Sequence, residues 1–172
     1  AAAEAAPDPE TVAVFHSLSK RSNLPGLRSG FVAGGPLTIA RFRQLRAYGG
    51  APLPLPVQHV SQAAWSDEAH VGANRALYQE KYRIADDVFA GMQGYQGPEG
   101  GFFLWLPVPV GTSEDAALKL WTKTGVRVLP GAYLGQTVAG ENPGDGYIRV
   151  ALVAPAQDMQ RGLTRLRDCL YA

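Results

Sequence analysis

A single cysteine, Cys169, is all the thiol in this 172-residue chain, so no intrachain disulfide can form. Such usage fits a reducing compartment, and a cytoplasmic location is expected. Placed on a C-terminal amphipathic segment, that thiol reads as packed rather than reactive. Long hydrophobic runs are also missing. The longest, Phe102 to Val110, is broken by Pro107 and Pro109, short of the roughly 20 apolar residues of a membrane helix, so no membrane partner is expected. Charge of one sign is scarce as well: the formal net charge is +1 without long like-charged blocks, so nucleic acid is not an implied partner. His16, His59 and His70 are dispersed, with no two at a ligand spacing, and no metal site is expected. G-x-S-x-G, P-loop and G-x-G-x-x-G motifs are absent, as are repeats and low-complexity segments. Ala1 to Glu10 has neither the basic nor the apolar region of a signal peptide and reads as a linker or a cut end.

What is present concentrates in one run, Ser17-Leu18-Ser19-Lys20-Arg21-Ser22-Asn23-Leu24-Pro25-Gly26-Leu27-Arg28-Ser29-Gly30. Thr11 to Phe15, apolar and rich in branched residues, predicts a short buried strand of a parallel sheet. Lys20 then lies just past a strand's carboxyl end, where open α/β sheets bind ligands. A lysine amine bonds to an aldehyde only when unprotonated, and burial with a neighbouring cation favours that form. Arg28 offers a planar fork of donors for a phosphate dianion, and Ser17 and Ser19 offer hydroxyls. Pro25-Gly26 supplies a tight turn that can bring Arg28 back toward the lysine.

Further along, Gly30 to Gly35 reads as a strand and Leu37 to Tyr48 as a basic amphipathic helix, with Ile39, Phe42 and Leu45 on one face. Proline-dense Gly49 to Pro56 predicts a stiff connector, and Val57 to Trp65 a helix. Glu68 to Met92 reads as one long helix. Beyond it the pattern is α+β: a strand over Gly100–Leu106, a helix capped by Ser113-Glu114-Asp115 and stopped by Gly125, strands over Val126–Leu129 and Tyr147–Val153, and a closing helix over Gln157–Tyr171. The hydrophobic content, 46%, suffices for one core or two small ones.

Arg149 is the one cation in the apolar stretch Tyr147 to Val153. Burying a guanidinium is costly without an anionic partner, so on its own it reads as an edge-strand arginine turned to solvent. His16, close to Lys20, reads as a packed ring rather than an acid–base group. Tyr48 and Tyr133 read as packing aromatics.

The Ser17–Gly30 run resembles the pyridoxal-phosphate attachment site of class I and II aminotransferases, enzymes of fold type I. The likeness extends through Gly100–Leu106, Val128–Gly135 and Gly146–Val153, and its wording looks closest to bacterial N-succinyldiaminopimelate aminotransferases. The resemblance implies an α/β fold: the end of a large cofactor-binding domain over residues 1–66, then a small α+β domain over 67–172. It implies pyridoxal 5'-phosphate as cofactor, Lys20 as its covalent anchor and general base, Ser17, Ser19 and Arg28 as phosphate ligands, and Arg149 as the grip on a substrate α-carboxylate. Substrates would be an amino acid and a 2-oxo acid, in lysine biosynthesis for the subfamily named, and the enzyme a homodimer. In that family the attachment lysine lies past the middle of the chain, and the acid that pairs with the pyridine nitrogen lies before it. This chain is therefore expected to be the C-terminal part of such an enzyme, giving no turnover alone with cofactor and an amino donor. The alternatives are a β-lyase or decarboxylase of the same fold, or a non-catalytic interaction domain that keeps the motif.

Overall fold

The computed structural model describes residues 8–172, which fall into two compact units divided between Asn74 and Arg75. In the first, strands β1 (Ala13–Ser17) and β2 (Gly30–Gly34) form an antiparallel ribbon, with Ala13 opposite Gly34 and Ser17 opposite Gly30. The expected parallel, buried strand is corrected on both counts: β1 is antiparallel and most of its residues are exposed. A parallel partner needs a long crossover, whereas here a one-turn helix α1 (Leu18–Arg21) and a 3-10 turn at Pro25–Leu27 reverse the chain at once. Gly30 permits the close return, because a side chain there would run into the His16 carbonyl.

Helix α2 (Pro36–Tyr48) follows, then α3 (Leu55–Ser66) and α4 (Ala69–Val88). Gly35, at the N-cap of α2, makes no side-chain cap. Glu10 serves instead, its carboxylate accepting from Leu37 N at 3.0 Å and Thr38 N at 2.8 Å. Those two bonds hold the Glu10 carboxyl below its ordinary range, and a negative charge suits a helix N-terminus. Of the linker expected over Ala1–Glu10, residues 1–7 lie outside the described residues, while Glu10 is a cap and not a linker residue. No residue of α2 is fully buried; Leu45 in particular is exposed, and the inward contact is Phe42 edge-on to Phe15 at 5.8 Å.

The second unit is built on a three-stranded antiparallel sheet, β3 (Phe103–Pro107), β5 (Tyr147–Ala151) and β4 (Leu129–Pro130), in that spatial order. Alternation sends Leu104 and Leu106 of β3 and Ile148 and Val150 of β5 into the core. Helices α5 (Ser113–Thr124) and α6 (Ala156–Leu170), with the later turns of α4, cover that face. On α6 the buried residues Met159, Leu163 and Leu166 recur at helical spacing. Each such side chain contributes about 2 kcal/mol through burial.

Capping differs in detail from expectation. Thr112 caps α5, one residue earlier than the predicted Ser113, and forms a capping box with Asp115. Ser113 is instead fully buried, where its Oγ accepts from Ala132 N at 3.3 Å. The predicted strand Val126–Leu129 contracts to Leu129–Pro130, and the long helix ends at Val88, whose carbonyl accepts from Arg167 Nη1 at 3.3 Å. Cys169 is half-buried against the core. Tyr171 donates to the Pro107 carbonyl at 2.7 Å, and burial pushes its phenol up to about 12.

Candidate active site

The Lys20 segment is a closed loop pinned by one apolar anchor. Leu18 is completely buried. Its N–H donates to the Ser29 carbonyl at 3.1 Å, and its own carbonyl accepts from Ser22 N at 3.0 Å and Leu24 N at 3.2 Å. Both ends of the loop and the Pro25–Leu27 turn are thereby tied to a single residue. Ser17 ends β1 in extended conformation and caps α1, its Oγ accepting from Ser19 N at 3.1 Å. The Ser17 and Ser19 hydroxyls lie 3.0 Å apart. Lys20 sits on the outer side of the turn whose inward residue is Leu18. It is exposed, which corrects the burial anticipated around it.

Arg28 follows the 3-10 turn in the left-handed region, at φ 50° and ψ 35°, with its Nη1 donating to the Pro25 carbonyl at 3.0 Å. A non-glycine residue there carries backbone strain. Ser29 beside it is buried, its Oγ 2.7 Å from Ser61 Oγ on α3, which is also 2.6 Å from the Val57 carbonyl. The buried Ser29 hydroxyl is therefore satisfied. His16 stacks on Phe31 at 5.7 Å and meets Trp65 edge-on at 5.3 Å, yet the residue stays exposed, so these ring contacts do not bury it. The packing roles anticipated for Tyr48 and Tyr133 are not found, since both rings are exposed.

Arg21 is the residue that sequence reasoning passed over. Its guanidinium, with a side chain only 10% exposed, ion-pairs with Glu68. It donates to the Ala64 carbonyl at 2.8 Å and the Trp65 carbonyl at 3.4 Å, and lies 4.9 Å from the Trp65 ring centroid. A cation therefore closes the carbonyl end of α3, where the helix dipole favours one. Its partners lie more than forty positions away, so no local spacing could have announced them.

In the second unit Arg149 occupies the middle of the central strand, opposite Trp105 on β3 and Leu129 on β4. The edge-strand reading fails accordingly. Strand alternation places it on the sheet face away from the core, half-buried, with Cζ 4.3 Å from the Phe103 ring centroid. Trp105 and Tyr147 stack at 5.4 Å on strands of the same sheet. Among the described residues no carboxylate pairs with Arg149. The adjoining segment is tightly folded: Gly131 and Gly144 approach so closely that a side chain on either would strike the other's carbonyl, and Asn142 Nδ2 donates to the Ala132 carbonyl at 3.0 Å.

The model of the family described as Aminotransferase class I and II matches residues 1–166. The chain belongs to that family. Among curated aminotransferases it is 36% identical over 153 residues to 4-dedimethylamino-4-oxo-anhydrotetracycline transaminase OxyQ of Streptomyces rimosus, covering 88% of this chain and 40% of that protein. It is 32% identical over 157 residues to LL-diaminopimelate aminotransferase of Dehalococcoides mccartyi, covering 90% and 39%. Among solved aminotransferase structures, one from Neisseria meningitidis superposes with a TM-score of 0.90 at 41% identity, covering 97% of this chain and 42% of that one. The chain thus spans about two fifths of the length of the relatives it matches, and its α/β fold is that part of the type I aminotransferase fold. Aminotransferases of this family depend on pyridoxal phosphate. The donor set here suits that group: the Ser17 and Ser19 hydroxyls and the Arg28 guanidinium match a phosphate, and the Lys20 amine matches an aldehyde. Among the described residues no cluster could hold a metal, and no helix is long and apolar enough to cross a membrane.

Proposed function

We propose that this chain carries the cofactor-anchoring lysine and the carboxylate grip of a pyridoxal-phosphate-dependent aminotransferase, which moves an amino group from an amino acid to a 2-oxo acid. The observation that carries the reading is the loop closed on Leu18, which gathers Ser17, Ser19, Lys20 and Arg28 into one short reversal. When bound, the cofactor supplies an aldehyde and an electron-withdrawing ring. Lys20 Nζ would hold the cofactor through that aldehyde, and the amine freed by substrate would carry the proton away from the substrate Cα. Ser17, Ser19 and Arg28 hold the phosphate by charge-assisted hydrogen bonds. Arg149 orients the α-carboxylate with its planar fork, and the half-buried setting against Phe103 limits competition from water.

Two finer assignments belong to this reading. Residues 1–66 act as part of the large cofactor-binding domain and 67–172 as the small domain. The donor is of the diaminopimelate class, N-succinylated in the nearest subfamily wording, with 2-oxoglutarate as acceptor and lysine biosynthesis as setting; the Dehalococcoides relative supports the class through its name. A cytoplasmic homodimer is the setting proposed for the whole enzyme. The test is covalent. Borohydride reduction after incubation with pyridoxal phosphate is expected to leave a phosphopyridoxyl group on Lys20, read by peptide mass. Label spread evenly over Lys81, Lys119 and Lys123 sinks the assignment.

A further inference from the structure

The residues just after Lys20 enter a polar chain that the proposed chemistry does not use. Arg21 Nη1 lies 3.3 Å from Ser22 Oγ, and Ser22 Oγ lies 2.9 Å from His70 Nε2. His70 Nδ1 lies 2.7 Å from Asp67 Oδ2, and Asp67 Oδ1 accepts from Ala69 N at 2.8 Å in the first turn of α4. One placement of hydrogens satisfies every link: Arg21 donates to Ser22, the Ser22 hydroxyl donates to Nε2 of a neutral imidazole, and Nδ1–H donates to Asp67. The Asp67 carboxyl is held below its ordinary range by the His70 hydrogen bond first and the Ala69 N–H second. Asn23, next along, repeats the pattern by donating from Nδ2 to Asn74 Oδ1 at 3.0 Å. Three consecutive residues therefore tie the segment behind Lys20 to residues 64–74.

Serine, histidine and aspartate in this order also make up a nucleophilic triad. Here the serine oxygen already accepts from Arg21, which withdraws electron density instead of freeing it. The arrangement is that of a fastener.

We propose that Ser22, His70 and Asp67 are positioning residues, fixing the backbone behind Lys20 to the start of α4 so that the lysine amine is presented at constant reach. What Lys20 does with that reach rests on the aminotransferase reading. The test is hydrogen exchange on the whole chain, comparing peptides over 18–27 and 146–152. Ser22→Ala and His70→Ala are expected to speed exchange in the first peptide by roughly tenfold, the loss of one or two partly buried hydrogen bonds, and to leave the second unchanged. Ser22→Thr, which keeps the hydroxyl, stays close to the parent. Should an alanine variant unfold, Asp67→Asn retains an oxygen for Ala69 and weakens only the His70 link, so the same rise is read there. The same variants are expected to slow borohydride-trapped labelling of Lys20. Unchanged exchange over 18–27 in folded variants overturns the proposal. If the parent chain takes no label on Lys20, the aminotransferase reading falls, while the exchange result still decides the fastener.

Discussion

The two units are held by different physics. In Arg75–Ala172, Leu104, Leu106, Leu120, Ile148, Leu152 and Leu166 are essentially removed from water around one sheet. In the first unit, Leu18 and Val71 are the buried hydrophobic anchors among the described residues, while Phe15, Leu37, Leu45 and Leu55 remain exposed. Beyond the Leu18 anchor and a few ring contacts, order there comes from polar attachments: Arg21 to the end of α3, Glu10 to the start of α2, Ser29 to Ser61. A core tolerates modest rearrangement at its surface because the driving force is non-directional. A polar scaffold has fewer ties, each with strict geometry, and loses a large share of its order with any one of them.

That contrast yields graded predictions. The largest effect is expected from apolar truncation. Leu120→Ala should cost the second unit about 3 kcal/mol, read as an earlier denaturant transition of Trp105 and Trp121 fluorescence. Leu18→Ala should cost a similar amount and release the Lys20 loop, read at Trp65. Next comes Arg21→Met, which strands the carbonyls of Ala64 and Trp65 and should destabilise the first unit by about 2 kcal/mol. Insensitivity of Trp65 to this change would show that apolar contacts hold the first unit after all.

A smaller effect concerns Tyr171. Its folded value lies above that of an exposed phenol, so it stabilises the fold below about pH 10 and that contribution is lost as pH rises toward about 12. Tyr171→Phe should cost about 1 kcal/mol at neutral pH and flatten the alkaline loss. The smallest is Glu10→Gln. Glu10 has a depressed carboxyl, so its cap is present above the ordinary glutamate range and fades as pH falls through the lower folded value. Protection of the Leu37 and Thr38 amides, taken relative to the intrinsic exchange rate at each pH, should fall in acid for the parent chain and change little with pH for the variant.

Sequence was informative where structure repeats locally. The α6 periodicity, the presence of β3 and β5, and the Gly125 stop could all be read from neighbouring residues. The candidate site was legible as a run of residue types, since serine, lysine and arginine must lie close together to serve one small ligand. The fastening of that run was not, because Ser22 and His70 are 48 positions apart and a long-range hydrogen bond leaves no period behind. Strand pairing failed for a related reason: apolar composition says that Ala13–Ser17 is extended but not what lies beside it, and the tight turn decided that.

Arg28 carries a further consequence for how this chain can change. Its backbone sits at φ 50°, where glycine or asparagine would rest more easily by about 1 kcal/mol. A search guided only by thermostability would therefore drift away from arginine at this position. An arginine retained in a selected library would record pressure from a ligand, so codon-randomised position 28, sorted with and without a demand for pyridoxal-phosphate labelling of Lys20, separates what the polypeptide prefers from what its chemistry requires.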